Sequence, residues 1–422
     1  MIFVLIIYLL TLLFLLKIMR KLYILSPSVI FFSVFIFSLG VAATTGFDIG
    51  MSTFIAISLA GTVVFFSDII SSTITFQIKH GSLKYKGISS RKTLLVIIFM
   101  AIVTWLDFVD IRNYAQSDSA NFLLMIADAR ENSYMEEETI SHSHAVLQGL
   151  YLSKVITYIY IYIIFYRKIL LKESVNFLYY VPIALFVIQA FLTTGRTEFI
   201  YMIYTILIIF YLLKQSEAKW SSKTSKGMIK IVGFCFIVFL CLFLLISTIR
   251  AGGELDYKSN LTSYIGGSIW AFDKYTEVKG LSSQAAFWGE QTQPLIYSVL
   301  AFMGDSHKQV VMTLPMMDSK IGCLNIYTAL GRYIHDYGVF GMALIVFVVL
   351  FLYNFLFKII KNQNSNGLKV IIYALVTYPV VEMSIEERFF CHLVSARTVF
   401  LIVYLIIFYK VLITNSKQVR VE

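Results

Sequence analysis

The chain has 422 residues, 58% of them hydrophobic and only 14% charged, and its formal net charge is +10. Soluble domains average about 25% charged residues, and a single water-soluble core cannot hide this much apolar surface. A soluble enzyme, a nucleic-acid-binding protein and a secreted disulfide scaffold are excluded, and the composition predicts an all-α polytopic membrane protein.

Apolar runs suited to crossing about 30 Å of hydrocarbon, which takes roughly 20 residues, follow one another along the chain. They fall near 2–16, 22–43, 51–70, 93–110, 146–166, 176–193, 198–213, 229–249, 338–357, 368–385 and 397–409. The first run has no basic region before it, which predicts a spanning helix rather than a cleaved signal peptide. In lipid the backbone satisfies its own hydrogen bonds, so the runs read as helices. The alternation expected of barrel strands is absent. The prediction is about 11 spans, within 10–13: about eight in 1–249, a large loop over 250–337, and about three in 338–422.

Lysine and arginine set the orientation. With the N-terminus outside, inward loops hold 22 of the 35 basic residues but only 4 of the 25 acidic ones, a net +18. Outward segments carry 12 basic and 21 acidic residues, a net −9. The basic excess is therefore topology, not a nucleic-acid footprint. Two outward loops are long, an acidic one over 111–145 and the one over 250–337, which carries amphipathic stretches around Tyr264–Tyr275 and Ala286–Met303. Long loops of this kind carry function, so the active face is predicted to look outward.

No phosphate-cradling glycine loop, zinc motif or nucleophile elbow is present, and no metal or cofactor is predicted. His142 and His144 after Glu136–Glu138 suit no zinc signature and read as a polar loop. In Thr193-Thr-Gly-Arg-Thr-Glu198 a short turn places Arg196 and Glu198 at the membrane surface. Arg196 reads either as an interfacial arginine that snorkels to headgroups or as a guanidinium fork for a phosphate. Arg250, ahead of Ala251-Gly-Gly253, has the same two readings. The segment from Asn325 through Tyr327, Arg332, His335 and Asp336 to Gly338 feeds directly into a span. As a helix it gathers an arginine, a histidine and an aspartate within one turn, a candidate site, with a structural Arg332–Asp336 pair as the plainer reading. Glu382, Glu386, Glu387, Arg388, His392 and Arg397 cluster at the last outward turn. Lys154, inside a span, demands a partner, for which Asp107 and Glu382 are candidates.

These segments together resemble the Wzy-type O-antigen (oligosaccharide repeat-unit) polymerases. The resemblance rests on Thr194-Gly-Arg-Thr197, Arg250-Ala-Gly-Gly253 and Asn325-Ile-Tyr-Thr328 with Arg332 and Asp336-Tyr-Gly338, and on the plan of about a dozen spans with a big outer loop. It implies transfer of undecaprenyl-pyrophosphate-linked oligosaccharides at the periplasmic face of the bacterial inner membrane, releasing undecaprenyl pyrophosphate. The N-terminus would then be periplasmic and the C-terminus cytoplasmic, and a chain-length regulator and a flippase are the implied partners. In that reading Arg196, Arg250 and Arg332 meet the pyrophosphate, reinforced by Arg388 or Arg397. Asn325 and Tyr327 bind substrate, and His335 takes the acceptor proton, with Asp336 or Glu198 as alternatives. An O-antigen ligase shares this topology and donor; a repeat-unit flippase and a non-catalytic membrane scaffold are the other rivals.

Overall fold

The computed structural model describes residues 1–74, 84–85, 87–115, 125, 143–192, 196–250, 262–305, 308, 310–319, 322–362, 367–413 and 415–416. In chain order the helices are α1 (Ile2–Met19), α2 (Pro27–Thr44), α3 (Met51–Thr73), α4 (Ser90–Ala115), α5 (His144–Phe165) and α6 (Val181–Leu192). They continue as α7 (Arg196–Glu217), α8 (Ser222–Gly227), α9 (Ile229–Arg250), α10 (Gly267–Lys279) and α11 (Pro294–Phe302). The last are α12 (Ala329–Asn362), α13 (Gly367–Val376), α14 (Pro379–Glu382) and α15 (Ala396–Leu412). Two short antiparallel pairs, Lys84–Tyr85 with Asn415–Ser416 and Met317–Ser319 with Gly322–Leu324, are the strands among the described residues.

Eight stretches among the described residues are helical, long and apolar enough to cross a membrane: α1, α2, α3, α4, α5, α7, α8 running into α9, and α12. The chain is an all-helical polytopic membrane protein. The other three predicted runs form shorter helices. Residues 177–192 open with a 3-10 turn before α6, α13 stops ahead of Pro379, and α15 has 17 residues.

Contacts group the chain into two units that interleave its linear segments. The first comprises Met1–Ile78, Asp256–Asn362 and Val376–Thr398; the second comprises Lys79–Leu255, Gln363–Leu375 and Val399–Glu422.

In the first unit α1 is apolar all round, yet only one stripe is buried, Ile2, Leu5, Leu9, Leu12 and Leu16. That alternating three- and four-residue spacing is the seam of two packed helices, while Phe3, Ile7, Phe14 and Ile18 face outward. Gly61 of α3 makes the close crossing possible, because a Cβ there would lie 2.7 Å from Leu9, the usual role of small residues between membrane helices. Polar contacts gather at the helix ends. Arg20 and Asp68 form a buried ion pair, and the ammonium of Lys358 donates to the carbonyls of Ser71 (3.3 Å), Ser72 and Ile74 that close α3. All of these belong to loops with the same predicted side. At the other end the amide of Gly50 donates to Asp273 (2.7 Å), and Thr53 meets Thr276 (2.8 Å). The part of the 250–337 segment that forms α10 is thereby seated on the spanning helices.

In the second unit α5 is the most enclosed helix, with Ser153 through Ile164 buried. Its tyrosines carry their hydroxyls into an apolar bundle and need partners there. Tyr160 donates to Thr93 at 3.1 Å. Gln189 of α6 donates to Thr104 at 2.9 Å and Ser153 at 3.3 Å.

Candidate functional site

The predicted cluster around Arg332 lies in the first unit, where the first turns of α12 meet the residues before α11. At Gly338 the backbone of α12 breaks, with φ 69° and ψ 178°, a conformation that glycine alone adopts without strain. The break sets residues 329–337 apart from the membrane-length portion that follows.

Arg332 is 2% exposed. One terminal nitrogen donates to the carbonyls of Gln291 (3.1 Å) and Val311 (3.0 Å), and the other to Met312 (2.7 Å). Glu386 stands 3.8 Å away. Asp336, one turn on and 5% exposed, accepts the amide of Gln291 at 3.1 Å and the hydroxyl of Thr292 at 2.6 Å. Gln291 is thus held by its carbonyl from Arg332 and by its amide from Asp336, and Cys391 donates its thiol to the same carbonyl at 3.3 Å. The two charged residues do not bond each other; they clamp the strand of chain between them. The plainer reading of a direct Arg332–Asp336 pair is thereby replaced by a shared hold on Gln291. A guanidinium whose terminal nitrogens already meet three carbonyls is built to hold a loop, and burial pushes the Asp336 carboxyl up although the hydroxyl of Thr292 and the amide of Gln291 oppose it.

His335 is different. It is half-buried, its Nδ1 lies 2.9 Å from the hydroxyl of Tyr275, and its Nε2 lies 3.2 Å from a carboxylate oxygen of Glu290. Its carbonyl accepts the amides of Gln284 (2.8 Å) and Ala285 (3.1 Å), which fixes the backbone. With Nε2–H donating to Glu290, Nδ1 is the basic nitrogen and takes the hydrogen bond of Tyr275, a tautomer assigned from these partners. Burial, and then the nearby charges of Asp336 and Glu290, push the Tyr275 phenol up to about 12, so it stays protonated. The arrangement is a carboxylate, an imidazole and a phenol in line, able to move a proton at the Tyr275 oxygen.

The turn after α14 packs beneath. Arg388 forms ion pairs with Glu382 (2.8 Å) and Glu386 (2.6 Å) and donates to Nε2 of His392 (2.5 Å). Glu387, fully buried, accepts the hydroxyl of Tyr333 (2.9 Å) and the amides of Phe390 and Cys391 (2.8 Å each). Burial together with Arg388, Arg397 and Arg332 holds the His392 imidazole down at about 3, in a turn where the arginines stand among Glu382 and Glu386. Arg397, in the first turn of α15, is exposed.

The other predicted residues fall elsewhere. Tyr327 donates to the carbonyl of Pro315 (3.0 Å) and packs edge-on against Tyr275 at 6.0 Å, so it supports the phenol. Asn325 is partly buried just ahead of α12. Glu198 belongs to the second unit, where it takes the ammonium of Lys154 at 2.6 Å, and Lys154 also sits 5.0 Å from the ring of Tyr201. The partner of Lys154 is therefore Glu198, not Asp107 or Glu382, and that ion pair accounts for a charge inside a membrane helix. The side chains of Arg196 and Arg250, the residues 251–253, Glu136–Glu138 and His142 lie outside the described residues. Among the described residues no group of three His, Cys, Asp or Glu is placed to hold a metal.

Sequence reasoning passed over Glu290, Tyr275 and the pair Gln291–Thr292. One signal existed: Glu290 is the sole charged residue between Lys279 and Asp305, and a lone carboxylate in so apolar a stretch calls for a partner. No protein-family model, curated protein or solved structure matches the chain.

Proposed function

We propose that the chain is an oligosaccharide repeat-unit polymerase of the bacterial inner membrane. It crosses that membrane about 11 times, with its N-terminus and the 250–337 loop on the periplasmic side. Its substrates are undecaprenyl-pyrophosphate-linked oligosaccharides. The observation that carries the reading is the Glu290–His335–Tyr275 line, at 3.2 and 2.9 Å, beside the turn that carries Arg388 and Arg397. A glycosyl transfer from a pyrophosphate donor needs a proton acceptor next to a cationic site for the departing charge.

In the proposed step an acceptor hydroxyl oxygen bonds to the anomeric carbon of the donor sugar while the bond from that carbon to the pyrophosphate oxygen breaks. The acceptor proton passes to the Tyr275 oxygen as the Tyr275 proton moves to Nδ1 of His335, and Glu290 stabilises the imidazolium. Undecaprenyl pyrophosphate leaves with the electron pair. Arg397, exposed, meets its charge, with Arg388 behind it. Arg332 and Asp336 are positioning residues that hold the Glu290 loop against α12.

The test is a surface-polysaccharide gel from a strain lacking the gene. A ladder restored by wild type, but reduced to core plus one unit by His335→Gln, supports the proposal. Unsubstituted core with polymer accumulating on the carrier lipid identifies a ligase and overturns it. Loss of both polymer and flipped units identifies a transporter and also overturns it.

A further inference from the structure

The helix α11 has an outward face that the proposed chemistry does not use. No charged residue occurs between Glu290 and Asp305. Within this stretch α11 buries Tyr297 but exposes Ile296, Val299 and Phe302, followed by Met303. Phe302 is 92% exposed and Met303 75%. A three-residue spacing along nine residues makes this one continuous apolar stripe. At about 1.5 Å per residue the helix is roughly 13 Å long, far too short to cross a bilayer. Its position is fixed at its start, where the hydroxyl of Tyr337 meets Thr292 at 2.7 Å and Gln293 at 3.2 Å. Tyr337 immediately precedes the Gly338 break, beyond which the spanning part of α12 turns Phe340, 83% exposed, and Leu344, 64% exposed, outward. Trp288, 58% exposed, leans on the ring of Tyr337 at 5.7 Å, and tryptophan concentrates at the headgroup level.

We infer that α11 is an interfacial helix whose Ile296–Val299–Phe302 stripe lies in the hydrocarbon of the bilayer, continuing the lipid-facing surface of α12. The occupant of the stripe is membrane lipid: a face without any charge, joined to the exposed apolar end of a spanning helix, suits acyl chains. Glu290 sits in the turn that leads directly into α11, so the anchoring fixes His335 at headgroup depth. A lipid-linked headgroup then reaches the imidazole while its hydrocarbon tail stays in the bilayer. That consequence rests on the proposed function, whereas the placement of α11 does not.

The experiment is fluorescence of the full chain in phosphatidylcholine vesicles, with and without bromine on the acyl chains. Phe302→Trp and Ile296→Trp each add an emitter on the stripe, and Val278→Trp, on α10 at 73% exposure, adds one facing water. After subtraction of wild-type emission, bromination should quench the two stripe variants at least twofold and leave Val278→Trp unchanged. Stripe variants quenched no more than Val278→Trp overturn the inference if their emission is that of water. They overturn it equally if the emission is blue-shifted, because the occupant is then protein. Neither reading depends on glycan synthesis, so failure here is distinguishable from failure of the proposed polymerase activity.

Discussion

Arg332 and His335 stand three residues apart on one helical stub, and their surroundings are opposite. Arg332 is sealed, with its terminal nitrogens on three backbone carbonyls. His335 is half-open, with a phenol on one ring nitrogen and a carboxylate on the other. The first arrangement resists change, and the second keeps a phenol and a carboxylate within hydrogen-bond reach of a half-buried imidazole. Residue type alone marks both as candidates for chemistry; the partners separate a clamp from a reactive group.

The comparison is broken most sharply by exchanging the two outcomes. His335→Gln should lower polymer formation by 10²-fold or more, the usual range for loss of a general base, with the melting temperature of purified protein shifted by no more than a few degrees. Arg332→Ala should do the reverse. Removing the guanidinium leaves the buried carbonyls of Val311 and Met312 without their donor, a loss of about 3 kcal/mol, read as a lower melting temperature in detergent and less protein in the membrane. Any residual protein should keep the pH dependence of wild-type activity.

Glu387→Ala sharpens the same contrast at the next layer. Three donors, Tyr333, Phe390 and Cys391, lose their acceptor, and about 2 kcal/mol of stability should go with them. Tyr333→Phe on that background should recover part of the loss in the same thermal melt, since it removes one of the stranded donors.

A further effect concerns pH and is read as a slope. The folded chain holds His392 neutral down to about 3, below its ordinary value of 6.5. The unfolded chain takes up a proton that the folded chain refuses. Stability should therefore fall as pH drops from about 6.5 towards about 3, by at most about 1.4 kcal/mol per pH unit. Above that window the group contributes no slope. In His392→Asn the acid limb of a stability–pH curve should be flatter by one proton.

Much of the membrane fold was legible because apolar runs and helix-end lysines are local properties. The runs near 2–16 and 51–70 appear as α1 and α3 extended by three residues each, Lys17–Met19 and Ser71–Thr73, as lipid-spanning length requires. The site was legible only in part. Tyr327, Arg332, His335 and Asp336 share one stretch of sequence, so spacing finds them. Tyr275 lies 60 residues and Glu290 45 residues from His335, and no helical period connects positions so far apart. The partner of Lys154 was missed for the same reason: Glu198 is 44 residues away and had been read as facing the surface. The break at Gly338 also hid in the pattern, because an apolar run reads the same whether the helix ahead of it is continuous or bent.

We propose that His335, turned by Glu290 towards Tyr275, performs the proton transfer of a glycan-joining reaction. The most direct measurement is in vitro extension of lipid-linked repeat units by purified protein in vesicles, comparing wild type, His335→Gln and Glu290→Gln at matched amounts of folded protein. A ladder is expected with wild type, no products beyond the starting unit with His335→Gln, and a slowed ladder with Glu290→Gln. A full ladder from His335→Gln at wild-type rate would contradict it.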